Sequence, residues 1–216
     1  MDENAHYFTV LRDGVVEMEV KKSRFITHIK RVKTEEEAKE FIAQIKKEHW
    51  KATHNCSAFI LGNRGEIQRS NDDGEPSGTA GVPMLEVLKK NELINLVVVV
   101  TRYFGGIKLG AGGLIRAYAG SVSHTLNEIG IVKGILQQEI HAEISYSSLG
   151  KVQNFLETHT EYTLKDTLFT ENVEVITLVD KENVDIYQEE ITSLLNGQVT
   201  FVLGENAWNE IQIHQI

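Results

Sequence analysis

The sequence predicts an α+β protein of two domains, residues 1–134 and 135–216. Apolar residues recur at helical spacing in some segments and alternate in others, the mark of mixed helices and strands. Val97 to Val100 form an apolar run of the kind found in a central buried strand. From Gln138 onward the elements follow the order β-α-β-β-α-β, which defines a ferredoxin-like sandwich.

Apolar periodicity, caps and turn residues place the elements of each domain. Thr34, followed three residues later by Glu37, forms a capping box that begins the first helix. In the first domain the predicted elements are strands 12–20, 23–32 and 56–61, a loop at 71–83, a short helix from 83, a strand at 93–100 and a helix at 114–128. In the second domain they are strand 138–145, helix 149–158, strands 162–169 and 173–178, helix 187–195 and strand 199–203.

Composition and charge narrow the class of protein. Of the 216 residues, 41% are apolar and 25% charged, which is ordinary for a globular protein. No apolar run approaches the ~20 residues of a membrane span, the N-terminus lacks a secretory signal, and the single cysteine, Cys56, fits a reducing compartment. We expect a cytoplasmic protein that uses no cofactor.

The charge is unevenly distributed along the chain. The total is −9, yet residues 1–134 hold 19 Lys/Arg and 17 Asp/Glu, a net +2, whereas residues 135–216 hold 3 and 14, a net −11. Because anion binding depends on the local field, the near-neutral first domain can still bind an anion.

The glycine-rich loop, Gly105 to Gly113, is the first candidate site. It leaves the buried strand and enters a helix, so its backbone amides can form an anion site at the helix N-terminus. Tyr103 and Phe104 could stack on a base. The predicted anion- or RNA-binding residues are Arg24, His54, Arg102, Gly105, Gly106, Lys108, Gly110, Gly112, Gly113 and Arg116.

The loop matches neither common nucleotide motif. A P-loop needs Gly-Lys-Ser/Thr after four intervening residues, and Gly110 is followed by Ala111; a dinucleotide fingerprint needs glycine where Ile115 stands. The alternative interpretation is a tight strand-to-helix turn that needs glycine for packing.

The acidic loop, Asp72 to Gly81, is the second candidate. Its carboxylates Asp72, Asp73 and Glu75 could hold Mg²⁺ or pair with Arg102, Lys108 or Arg116, and we expect no metal. Ser77 and Thr79 could donate to a phosphate or act as turn residues. This loop is therefore expected to support the anion site.

Two smaller clusters allow alternatives. His54 and Cys56 share one face of a strand, which permits a nucleophile–base pair but equally fits a buried structural cysteine. Lys21, Lys22 and Arg24 begin a strand, either as a solvated edge or as an extension of the cationic face.

Four stretches resemble the YigZ/IMPACT family, over about residues 18–130. They are Lys22-Ser23-Arg24-Phe25, Ala52-Thr53-His54-Asn55-Cys56, Asp72 to Pro83, and Val98 to Gly110. The resemblance implies a first domain like a small-subunit ribosomal protein and domain IV of elongation factor G, and a second, ferredoxin-like domain similar to domain V of that factor. It also implies a role in translation, since eukaryotic relatives bind the activator of an eIF2α kinase. It supplies no catalytic residue.

We therefore expect a non-enzymatic, translation-related regulator that binds RNA, the ribosome or a translation factor, with no membrane partner. Two alternatives stay open. One is a hydrolase or small-molecule enzyme for a phosphate-bearing substrate, built on His54, Cys56 and the acidic loop. The other is a protein–protein interaction regulator that uses its acidic second domain. The sequence does not indicate the oligomeric state.

Overall fold

The computed structural model describes residues 6–213 and contains two compact units. The N-terminal unit comprises residues 7–133 together with residues 211–213, and the C-terminal unit comprises His6 and residues 134–210. The division expected from the sequence lay after residue 134 and placed the whole C-terminal end in the second domain, whereas the last residues of the final strand group with the first unit.

The N-terminal unit is built on a five-stranded sheet and three helices. Its elements are β1 (His6–Val10), β2 (Gly14–Val20), β3 (Ser23–Arg31), α1 (Glu35–Glu48), β4 (His54–Leu61), β5 (Ile67–Asn71), α2 (Gly81–Lys90), β6 (Leu96–Tyr103) and α3 (Ala111–Ile129). The sheet order is β2-β3-β6-β4-β5, and all four pairings are antiparallel. The valine-rich strand β6 is therefore central, as the apolar run predicts.

The register of this sheet brings three strand ends together. Arg24 near the start of β3 pairs with Tyr103 at the end of β6, and His54 at the start of β4 pairs with Arg102. The segments before β3, before β4 and after β6 therefore meet at one end of the sheet. We call this end the loop end.

Helices cover both faces of the sheet. One face packs through Phe25, Val98 and Val100 against Met84 of α2 and Tyr118 of α3, and the other packs through Val97 and Val99 against α1. The alternation of side chains along a strand produces this division: neighbouring valines of β6 enter different cores.

The C-terminal unit has the ferredoxin-like order that the sequence predicts. Its elements are β7 (Ile131–Ile144), α4 (Leu149–Thr158), β8 (Thr163–Phe169), β9 (Val173–Asp180), α5 (Val184–Leu194) and β10 (Thr200–Ile213). The strands of this unit lie in the order β10-β7-β9-β8. One core joins strands and helices through Ile140, Val175, Tyr187 and Ile191. The expectation of an α+β fold is thus confirmed, and the strands form two sheets.

Some elements were not predicted. β1 and β5 were missed, and α3 begins at Ala111, so that the last three residues of the glycine-rich loop form its first turn. Across residues 6–213, no helix combines the length and apolar composition needed to cross a membrane.

Candidate anion-binding site

Arg102, the first arginine of the predicted site, lies inside the protein. Only 5% of the residue is exposed, and its Nη1 donates to Glu75 Oε1 at 2.7 Å. The same carboxylate oxygen accepts from the Tyr118 hydroxyl at 2.8 Å. Because a buried guanidinium needs a counter-charge, Glu75 neutralises Arg102, and this arginine braces the loop end instead of reaching a ligand.

Arg24 lies on the opposite face of the sheet from Arg102. It shares a face with Tyr103, and its guanidinium carbon is 5.4 Å from the centre of that ring. Its Nε and Nη2 donate to the two carboxylate oxygens of Glu17, at 2.7 and 2.9 Å. This hydrogen-bonded ion pair lowers the pKa of Glu17. The two arginines therefore do not form one cationic surface.

Asp72 holds the acidic loop against the start of α2. Its Oδ1 accepts from the amides of Ala80 and Gly81, at 3.1 and 2.8 Å, and its Oδ2 accepts from the Gly78 amide at 2.8 Å. A carboxylate in this position satisfies the orphan amides of the helix and complements its dipole. Asp72 is thus the internal anion of the α2 N-terminus.

Asp73 and His54 form a second set of contacts beneath this loop. The Asp73 carboxylate accepts from Lys46 Nζ and from the Asn55 amide, both at 2.6 Å. His54 Nδ1 lies 2.8 Å from the Asp73 carbonyl and must carry the proton, because a carbonyl only accepts. Its Nε2 is 3.7 Å from Glu75 Oε2. His54 therefore faces inward, toward the acidic loop.

Cys56 and Thr79 have structural contacts. The Cys56 thiol donates to the Asp72 carbonyl at 3.0 Å, and burial raises its pKa to about 12, so the thiolate needed for nucleophilic attack is suppressed. The Thr79 hydroxyl donates to the Pro76 carbonyl at 2.6 Å, as in a turn, while Ser77 is exposed. Within residues 6–213, no group of three or more His, Cys, Asp or Glu side chains is placed to hold a metal ion.

Gly105 has the packing role that the alternative interpretation assigned to the loop. A Cβ there would lie 1.9 Å from the Lys22 carbonyl oxygen, and its amide donates to Ser23 Oγ at 3.2 Å. Glycine is therefore required where the loop touches the β2–β3 hairpin. Gly106 and Gly110 adopt positive φ, at 86° and 70°.

The rest of the glycine-rich loop is open. Leu114 is the first residue of the α3 ladder, since its amide donates to the Gly110 carbonyl. Within residues 6–213, no partner accepts from the amides of residues 106–113. The N-cap Gly110 offers no side chain, and the first turn of α3 holds no acidic residue. The N-terminus of α3 thus presents uncompensated amides to solvent.

Two cations belong to the segment that holds these amides, Lys108 to the loop and Arg116 to the start of α3. Lys108 and Arg116 are both exposed and, within residues 6–213, neither forms an ion pair with a carboxylate. Arg116 Nη1 lies 3.7 Å from the position that a Cβ would occupy on Gly112. A cation next to a helix N-terminus is electrostatically unfavourable without an anion. Lys108, Arg116, Gly106, Gly110, Gly112 and Gly113 therefore form the candidate site.

Trp50 is a further exposed residue at the loop end that no sequence motif marks. The residue is 73% exposed in the segment before β4, with Lys51 Nζ 5.0 Å from the ring centre. A single tryptophan in a polar turn carries no periodic pattern, so only the register of the sheet reveals where it lies.

Fold and site define a two-domain α+β protein with a glycine-rich candidate anion site on its N-terminal domain. Residues 21–126 match the Impact N-terminal domain family, and residues 143–198 match a domain of unknown function, DUF1949. The chain is 52% identical to IMPACT family member YvyE of Bacillus subtilis, over 97% of this chain and 96% of the relative. It is 35% identical to an IMPACT family member of Haemophilus influenzae, over 93% and 98%.

These similarities place the chain in a family: it belongs to the IMPACT family. It is also 44% identical to the Protein IMPACT homolog of Dictyostelium discoideum, over 42% of this chain and 27% of that protein. A crystal structure described only as that of a hypothetical protein aligns with a TM-score of 0.57 and 28% identity, covering 93% of this chain and 98% of that one. The resemblance seen in the sequence motifs is thus confirmed.

Proposed function

We propose that this protein is a translation-related regulator that binds RNA, free or within the ribosome, through the glycine-rich loop. The observation that carries the proposal is the open N-terminus of α3, where unpartnered glycine amides lie beside Lys108 and Arg116. Backbone amides at a helix N-terminus, with a guanidinium beside them, are suited to phosphate oxygens.

Gly112 supports this interpretation. A Cβ there would meet nothing closer than Arg116 Nη1 at 3.7 Å, and its φ lies outside the left-handed region. Neither packing nor backbone conformation therefore requires glycine at this position. Close approach of a ligand to the backbone is a role for which glycine is the usual residue.

The test is the salt dependence of binding to a dye-labelled RNA, followed by fluorescence anisotropy between about 50 and 200 mM salt. Lys108→Ala with Arg116→Ala should lower the slope of log K against log salt by about 1.4, or 0.7 for each lost phosphate contact on a single strand. The control variant, Lys89→Ala with Lys90→Ala, also removes two positive charges, but from the last turn of α2, outside the candidate site. It should leave the slope unchanged. A salt-independent affinity would contradict the proposal.

A second candidate function is regulation through a protein partner, favoured by the acidity of the C-terminal unit. On one face of its sheet Glu143 of β7 lies directly opposite Glu174 of β9, within a region of net charge −11, and the nearby Glu139 is paired with Lys165. Such a surface repels RNA and suits a basic protein. A pull-down from lysate distinguishes the two functions: a protein partner stays bound after nuclease treatment, whereas partners held through RNA are released.

The enzyme alternative receives no support from the site geometry. His54 and Cys56 donate to separate backbone carbonyls, and the three carboxylates of the acidic loop are occupied by internal donors. We therefore assign no reaction to this cluster.

A further inference from the structure

We propose that the RNA bound at the loop end is single-stranded, with bases stacked on the exposed rings of Trp50 and Phe104. This inference rests on the proposed function and specifies the form of RNA that the site takes. It is carried by two rings, by three lysines that neighbour them, and by the contacts that hold these groups at one end of the sheet.

Short backbone contacts tie the two ring-bearing segments together. The Phe104 amide donates to Thr53 Oγ1 at 3.1 Å, and the Thr53 amide donates to the Arg102 carbonyl at 2.9 Å. Trp50, which precedes Thr53 in the same short connection, is therefore held at the end of the sheet from which Phe104 emerges.

Both rings are poorly covered by the protein. Trp50 is 73% exposed and Phe104 is 48% exposed, although aromatic side chains contribute most when they are buried. Lys51 is exposed, and its Nζ lies 5.0 Å from the centre of the Trp50 ring. The cation beside Phe104, with its guanidinium carbon 5.6 Å from that ring, is the buried Arg102 that Glu75 already neutralises. Exposed rings alternating with cations are the recognition elements of single-stranded nucleic acids.

The hairpin turn between β2 and β3 adds two lysines. Lys21 and Lys22 are exposed and adopt φ values of 46° and 65°, a left-handed geometry that two-residue hairpins normally fill with Asn-Gly. The turn touches the glycine-rich loop, because Gly105 packs directly on the Lys22 carbonyl. Two exposed lysines thus occupy the turn that packs on the loop, in place of residues that would suit the turn better.

Stacking on protein rings discriminates between forms of RNA. In a duplex the bases are stacked on one another and their faces are closed to side chains, whereas unpaired bases can be splayed onto aromatic rings. The open helix N-terminus alone would accept phosphates from either form. Trp50 and Phe104 therefore supply the preference for single strands.

Tryptophan fluorescence provides the experiment, since Trp50 becomes the sole tryptophan in a Trp208→Phe background. The full chain is titrated with an oligonucleotide of about ten nucleotides, with a duplex of the same length, and with inorganic polyphosphate. The single strand should quench Trp50, while polyphosphate should bind without quenching.

Substitutions then separate stacking from charge. Trp50→Ala and Phe104→Ala should each weaken single-strand affinity roughly fivefold to 150-fold, the range expected for a lost base–ring stack, and leave polyphosphate binding unchanged. Trp208→Ala, at an exposed tryptophan of the C-terminal unit, serves as the matched control. Lys21→Asn with Lys22→Gly should weaken RNA binding, because two cations are lost, and should raise the melting temperature, because Asn-Gly suits the left-handed turn. Weaker binding by a more stable protein cannot be attributed to unfolding.

The outcomes distinguish this inference from the proposed function. If duplex and single strand bind equally, or if both ring variants keep wild-type affinity, stacking is contradicted while the phosphate site stands. If none of the three polyanions binds, both proposals are wrong.

Discussion

Helices α2 and α3 pack on the same face of the N-terminal sheet, yet the backbone amides at their N-termini differ: those of α2 have an internal acceptor and those of α3 do not. At α2 the Asp72 carboxylate accepts from three backbone amides of residues 78–81. At α3 the corresponding amides have no acceptor within residues 6–213, and the first turn contains no acid. The Asp72 carboxylate is thus the internal anion at the N-terminus of α2, whereas the N-terminus of α3 has no such internal acceptor and leaves its amides open to a ligand.

The first helix reinforces this contrast. Thr34 caps α1 by accepting from the Glu37 amide, and the first turn contains Glu35, Glu36 and Glu37. Such residues are the usual means of stabilising a helix N-terminus. Only α3 among these three helices begins with exposed glycines and neighbouring cations.

The largest expected effect concerns the carboxylate that neutralises Arg102. Glu75→Ala should lower the free energy of unfolding by about 3–5 kcal/mol, because it leaves a buried guanidinium without its counter-charge. Urea denaturation measures the change. Glu86→Ala, which removes a surface ion pair with Lys89, should cost less than about 0.5 kcal/mol. Equal decreases in the free energy of unfolding of the two variants would show that Glu75 does not stabilise the fold as the buried counter-charge of Arg102.

Opening the α2 N-terminus should have the next largest effect. Asp72→Ala removes the acceptor of three amides and should cost about 2 kcal/mol, read from the shift in the urea midpoint. Ser77→Ala in the same loop, where the side chain is exposed, should change stability by no more than about 0.5 kcal/mol. If Asp72→Ala is as stable as Ser77→Ala, the hydrogen bonds from Asp72 to the α2 N-terminus contribute nothing measurable to the free energy of unfolding.

The α1 face of the sheet carries a buried histidine, His28, next to Val99 of β6. Burial and the neighbouring His49 lower the pKa of His28 from 6.5 to about 4, although Glu48 opposes them. The unfolded chain then binds a proton that the folded chain resists, so stability is present above pH 6.5 and falls as pH drops toward 4. We expect a loss of about 1–2 kcal/mol between pH 6.5 and about pH 5.

The matched variant is His28→Phe, which keeps a ring but cannot titrate. His28 Nε2 is buried without a hydrogen-bond partner among residues 6–213, so the substitution sacrifices no bond at that atom. Urea denaturation at several pH values should show a smaller acid loss in the variant. The same loss in both proteins would rule out His28 as its source.

The smallest stability effect is expected at Gly112. Gly112→Ala should raise the free energy of unfolding by less than about 1 kcal/mol, since alanine is the better helix former and the site has room for a methyl group. The same change should weaken RNA binding by obstructing the amides of the first turn. Thermal melting and anisotropy together test the prediction, and a variant that gains stability without losing affinity would contradict it.

The sequence predicted the fold better than the site. Helix 149–158 agrees with α4 at both ends, because its apolar spacing has few competing interpretations. β5 was missed because Ile67–Asn71 contains a single apolar residue and lies at a sheet edge. A strand that buries little carries no alternating pattern.

The site depended on information that a single sequence lacks. Arg24 and Arg102 both flank conspicuous motifs, but only the pairing of Arg24 with Tyr103 shows that they occupy opposite faces. Likewise, the acidic loop contains three carboxylates, and only the coordinates reveal that each is engaged by internal donors. Cross-strand register and tertiary ion pairs are properties of the folded chain.

The most direct test of the central claim is an amide-resolved NMR titration of the full chain with a single-stranded RNA. If the open N-terminus of α3 binds RNA phosphates, the amide resonances of Gly106, Gly110, Gly112 and Gly113 shift together and saturate, while the resonances of the Gly78 and Gly81 amides bonded to Asp72 stay in place. Resonances of the glycine-rich loop that remain unchanged while others in residues 134–210 move would contradict it.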